Sequence, residues 1–73
     1  MEYVVVEFPD KRDVFVDDVE TPVAVTNELF EVEEGTHCFK LGGPKDYQPE
    51  VYCGLVTGTI PANPMIVVFT KTP

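Results

Sequence analysis

The chain has no serine, no tryptophan and a single histidine, and only five lysines and arginines stand against thirteen aspartates and glutamates. Without serine, no Ser-His-Asp triad can be assembled. Without tryptophan, one favoured stacking side chain is missing. The shortage of basic residues leaves a net charge of −8, which repels phosphate backbones and anionic headgroups. Nucleic acid and a polybasic membrane anchor are therefore excluded as expected partners. No apolar run approaches the ~20 residues of a membrane helix. Met1-Glu2-Tyr3 places acid where an export signal has lysine or arginine, and Val4-Val5-Val6 is too short for its apolar region. The expectation is a chain without an export signal, cytoplasmic by default. Helical spacing of apolar residues is also absent over any stretch of about ten residues.

The two cysteines are too few for a disulfide-rich scaffold. Cys38 and Cys53 would close a loop worth about 3 kcal/mol if bridged, in the chain-entropy model. The reading adopted is two free thiols in a reducing compartment, with the bridge as the alternative.

What is present is β-forming sequence. Hydrophobic residues make up 44% of the 73 residues, enough for one small core and one domain, residues 1–73. At this size about 60% of the unfolded chain's surface is buried, so little stability is left to support strained chemistry. Short runs rich in Val, Phe, Thr and Tyr fall at 2–8, 13–17, 23–25, 28–32, 36–41, 48–60 and 65–70. Seven prolines and five glycines lie mostly between them, where turns belong. Gly35 follows Glu33-Glu34 and allows a tight turn, so 28–32 and 36–41 read as a hairpin with His37, Phe39 and Leu41 on one face. The 48–60 segment is expected to bend near Gly54 or Gly58. The sum is an all-β domain, a small antiparallel β-sandwich of six or seven strands or an open barrel.

The order of these features resembles the PEGA domain. Val6-Glu7-Phe8-Pro9 is similar to its opening strand, and Val14-Phe15-Val16-Asp17 to its second. The stretch from Leu29 to Leu41 is similar to its central hairpin, and Asp46-Tyr47-Gln48-Pro49 to its aromatic corner. Asp18 and Asp46 stand where the pattern has glycine. The resemblance implies an immunoglobulin-like sandwich, an outline that transthyretin-like modules share. It also implies an adhesive or spacer role in bacterial or archaeal proteins, many of them at the cell surface, and it carries no catalytic residues. Tyr47 is expected to pack over the end of the sandwich, and Gly35, Phe39, Cys38 and Cys53 to be structural.

Chemistry has few carriers. His37 and Cys38 are strand neighbours whose side chains point to opposite faces, so a thiol enzyme would need Cys53 instead. Zinc lacks ligands at usable spacing. The acidic residues Asp10, Asp13, Asp17, Asp18 and Glu20 gather around one turn and the next connection. They are the candidate ligands for calcium, which takes six to eight oxygens. The competing reading is a solvated acidic rim. Glu31, Glu33 and Glu34 form a second acidic patch, expected at an exposed tip. No cofactor other than calcium is implied. The leading expectation is a non-enzymatic interaction module. A protein partner or a second copy would pair with whichever of Val4-Val5-Val6 or Ile66-Val67-Val68-Phe69 lies at a sheet edge.

Overall fold

A computed structural model describes all of residues 1–73. The chain is all-β and contains no helix. Its strands are β1 (Glu2–Glu7), β2 (Asp13–Val16), β3 (Ala24–Val25), β4 (Leu29–Val32), β5 (Gly35–Leu41), β6 (Tyr47–Gln48), β7 (Tyr52–Val56), β8 (Met65–Val68) and β9 (Thr70–Lys71). Three of these, β3, β6 and β9, are only two residues long.

Two sheets enclose one core. The first has the order β4-β1-β8 and the second β3-β2-β5-β7. Alternation sends Val4, Val6, Val32 and Val67 inward from the first sheet. From the second it sends Val14, Val16, Phe39, Leu41 and Val56. Phe8, Tyr47 and Phe69 complete this cluster at one end. The sheets join along one side. There β3 leads through a turn at Thr26 and Asn27 into β4, so the chain leaves one sheet and enters the other within a few residues. Buried Thr26 donates its N–H to the Arg12 carbonyl at 2.9 Å, and its hydroxyl accepts from the Arg12 N–H and donates to the Asp10 carbonyl. Asn27, at φ 65°, bonds Val6 through its backbone and Phe8 through its side-chain amide. These contacts continue the ladder across the corner.

The other side is open between β7 and β8. It is closed only at its ends. The β6–β9 pair closes one. At the other, the Tyr3 N–H donates to the Thr59 hydroxyl while Glu2 accepts from Thr59.

Three expectations need correction. The predicted hairpin does not form. β4 pairs with β1, whereas β5 pairs with β2 and β7. The turn at Gly35 (φ 137°) carries the chain from one sheet to the other. Phe30 and Phe39 then meet edge-on across the core, 6.3 Å apart, instead of side by side in one ladder. The sheets are also not wholly antiparallel, because β1 and β8 run parallel. Such a pair joins segments distant in the chain, and alternation carries no record of direction. Finally, the 48–60 stretch is not one bent strand. β7 passes straight through Gly54 and ends before Gly58, which takes φ 70°.

At the end of β2, Asp17 and Asp18 adopt φ 56° and 59°. The Val19 N–H returns to the Val16 carbonyl at 3.3 Å, which makes a tight turn with both central residues left-handed. Asp tolerates this region better than most residues.

Candidate functional site

The cysteines form a disulfide, contrary to the free thiols expected from composition. Cys38 on β5 and Cys53 on β7 are directly opposed in the antiparallel register, and their sulfurs are bonded. Neither sulfur is then a free nucleophile. The bridge lies on the outer face of the four-stranded sheet, since Phe39 beside Cys38 points inward.

The acidic candidates do not converge. Asp10 pairs with Lys71 and lies 3.8 Å from Arg12. Asp13 is exposed at the start of β2. Asp17 lies at the far end of that strand, where its carboxylate accepts from the Cys38 N–H at 2.9 Å and contacts His37. Asp18 approaches Lys40 at 3.8 Å, and Glu20 is exposed. No group of three carboxylate, imidazole or thiol side chains is placed to hold a metal ion. The reason is local geometry. The β2 strand separates Asp10 from Asp17, and Asp10, Asp17 and Asp18 already have cations or N–H groups as partners.

His37 is held by two acceptors. Its Nδ1 lies 2.6 Å from Asp17 Oδ2 and its Nε2 lies 2.6 Å from the Glu33 carbonyl. Both ring nitrogens can donate at once only in the imidazolium form. The bond to Asp17, followed by the one to Glu33, raises the His37 pKa above its ordinary 6.5 despite partial burial. The Cys38 N–H and then His37 hold the Asp17 carboxyl below its ordinary value. This pair braces the β4–β5 crossing, and nothing beside it is arranged as a substrate site.

A second polar cluster organises the opposite end. Arg12 Nη2 donates to Asp46 at 2.8 Å, its Nη1 reaches the Gly42 and Pro44 carbonyls, and its guanidinium lies 5.3 Å from the centre of the Phe8 ring. The contact with Asp46 raises the Arg12 pKa and lowers that of Asp46. Nothing in the sequence singled out Arg12, because its partners lie about thirty residues away. Tyr47 is buried, donates its hydroxyl to the Leu41 carbonyl at 2.8 Å, and meets Phe8 and Phe69 edge-on. These contacts hold the fold together.

The remaining feature is a surface. On the three-stranded sheet the outward side chains are Tyr3, Val5 and Glu7 of β1, Leu29 and Glu31 of β4, and Ile66 and Val68 of β8. The register aligns Leu29, Val5 and Ile66 in one row, and Glu7 with Val68 in the next. Leu29, Ile66 and Val68 are 47%, 46% and 52% exposed. β8 is the edge of this sheet and β1 its centre. The Phe69 N–H donates to the Glu7 carbonyl. Alternation therefore turns the backbone groups of Val67 toward β1 and those of Ile66 and Val68 toward the open side. Beside them lies a shallow depression of about 490 Å³, whose lining includes Val5, Glu7, Phe8, Asn27, Val68 and Thr70.

Comparison with protein-family models, with curated proteins and with solved structures finds no match for this chain.

Proposed function

We propose that this chain is a non-enzymatic β-sandwich interaction module that binds an extended protein segment along β8. The observation that carries this reading is the β8 edge itself. All four of its residues are apolar, its outer side chains are about half exposed, and no proline, bulge or charge interrupts it. Sheet edges are ordinarily blunted by such devices, because an open edge templates pairing. The other edges are less inviting. β4 is flanked by Glu28 and Glu33 and carries Glu31, β3 has two residues, and β7 has Gly54 at its centre.

Other features support an immunoglobulin-like, PEGA-like reading of the fold. Tyr47 returns its hydroxyl to a carbonyl six residues upstream, in the manner of a tyrosine corner. Asp18, standing where the PEGA pattern has glycine, takes a left-handed conformation that glycine favours. The bonded cysteines suit an oxidising compartment such as a cell exterior. The calcium reading has no gathered ligand set in its favour.

The test is a random peptide library panned against the immobilised domain, with counter-selection on an edge-blocked Val68→Lys variant. The expected result is enrichment of extended β-forming sequences that the variant no longer retains. Sequences retained equally by both proteins, or no enrichment, would contradict the reading.

A further inference from the structure

The outer face that adjoins β8 carries charge of only one sign. Its charged side chains are Glu7 and Glu31, with no lysine or arginine among the outward residues of β1, β4 and β8. Neighbouring cations are committed elsewhere. Lys71, at the rim of the depression, is paired with Asp10, and Arg12 is paired with Asp46. Glu7 takes part in no ion pair and no side-chain hydrogen bond. It stands in the same row as Val68, with the apolar surfaces of Val5 and Phe8 in the depression beside it.

A carboxylate above an apolar floor suits one kind of side chain. The aliphatic stem of a lysine or arginine can lie on Val5 and Val68 while its cationic head meets Glu7. An acidic side chain would be repelled there, and a purely apolar one would leave Glu7 beside dry surface. The depression lies next to the unpaired backbone of Ile66 and Val68, so one ligand can use both. A strand added to β8 places alternate side chains on the outer face, and the next ones over the opening between β8 and β7.

From this arrangement we propose that the segment bound along β8 is an extended cationic peptide, with lysine or arginine alternating with apolar residues. The inference rests on the β8 reading and adds to it the chemistry of the partner. It also disfavours a second copy as occupant. Each copy brings a net charge of −8 and the same Glu7 and Glu31 to the contact, and like charges at an interface reduce association.

The experiment uses three fluorescently labelled peptides with the same alternating valines and with Lys, Thr or Glu at the intervening positions. Each is titrated into the whole chain and followed by anisotropy. Parallel titrations use Glu7→Gln, and the edge variants Val68→Lys and Ile66→Lys. Both edge positions are about half exposed, so the lysines are compatible with folding, which circular dichroism verifies. The Lys peptide is expected to bind most tightly, roughly fivefold better than the Thr peptide, as one well-placed ion pair allows. Added salt should narrow that gap, and Glu7→Gln should largely remove it, whereas either edge variant abolishes binding of every peptide. Edge-dependent binding that is equal for all three peptides overturns the charge inference and leaves the β8 reading standing. Binding that ignores both edge variants, or no binding of any peptide, overturns both. A concentration-dependent dimer in sedimentation that the edge variants abolish assigns β8 to a second copy and overturns the cationic partner.

Discussion

The two outer faces of this domain are built to opposite ends. On the four-stranded sheet, Cys38 and Cys53 are bonded across β5 and β7, and Lys40 lies over the Phe15 ring at 5.9 Å while also approaching Asp18. Those cross-strand neighbours satisfy one another, while Leu55 of β7 stays exposed on the same face. On the three-stranded sheet, Leu29, Val5, Ile66 and Val68 form an apolar strip with acid beside it and with an unpaired edge. The same alternation of residues produces both. The difference lies in the partners: one face carries a covalent bond and local cross-strand contacts, and the other carries an apolar strip beside an edge strand that no glycine interrupts. In a chain this small, the covalent staple stands on one face and the proposed binding strip on the other.

Removing the staple is expected to give the largest effect. The cysteines are separated by 15 residues, and releasing a loop of that size costs about 3 kcal/mol in the chain-entropy model. That is comparable to the whole stability of roughly 3–5 kcal/mol expected of a core this size. Cys38→Ala with Cys53→Ala should therefore leave a large unfolded fraction in water, read from a urea transition monitored by circular dichroism. An unchanged midpoint would show that the four-stranded face does not depend on its bridge.

A smaller effect is expected from the His37–Asp17 pair, which braces the same sheet against the β4–β5 crossing. The folded His37 pKa lies above its ordinary 6.5. Its contribution is therefore complete below 6.5 and fades as pH rises through the raised value. The folded Asp17 pKa lies below its ordinary 3.8, so its contribution is complete above 3.8 and fades as pH falls through the lowered value. The pair stabilises most between those two ordinary values. Melting temperature measured against pH should fall on the alkaline side in the native chain, and His37→Gln should remove that part of the fall. An identical alkaline limb in the variant would assign the dependence to another group.

The all-β class was legible because Val, Phe and Thr recur in short runs broken by Pro and Gly, with no helical spacing. Pairing was less so. The sequences 29–32 and 36–41 alternate as a hairpin would, yet each satisfies its alternation against the core from a different sheet. The parallel β1–β8 pair joins the two ends of the chain, which no local pattern reports. The disulfide became visible only once β5 and β7 were known to be opposed, since spacing alone allows free thiols equally. The acidic cluster of 10–20 was compact in sequence but not in space, because β2 carries Asp10 and Asp17 to opposite ends. For β8, composition marked the segment as strongly β-forming, and topology supplied what the residues could not: that it, and not Val4-Val5-Val6, lies at an edge.

Amide hydrogen exchange of the dilute monomer by NMR tests the unpaired β8 edge most directly. Val67 and Phe69, whose N–H groups face β1, should be protected, while Ile66 and Val68 exchange at nearly the rate of an open chain. Protection of Ile66 and Val68 equal to that of their neighbours would mean that the edge is already occupied within the chain, and would contradict the account.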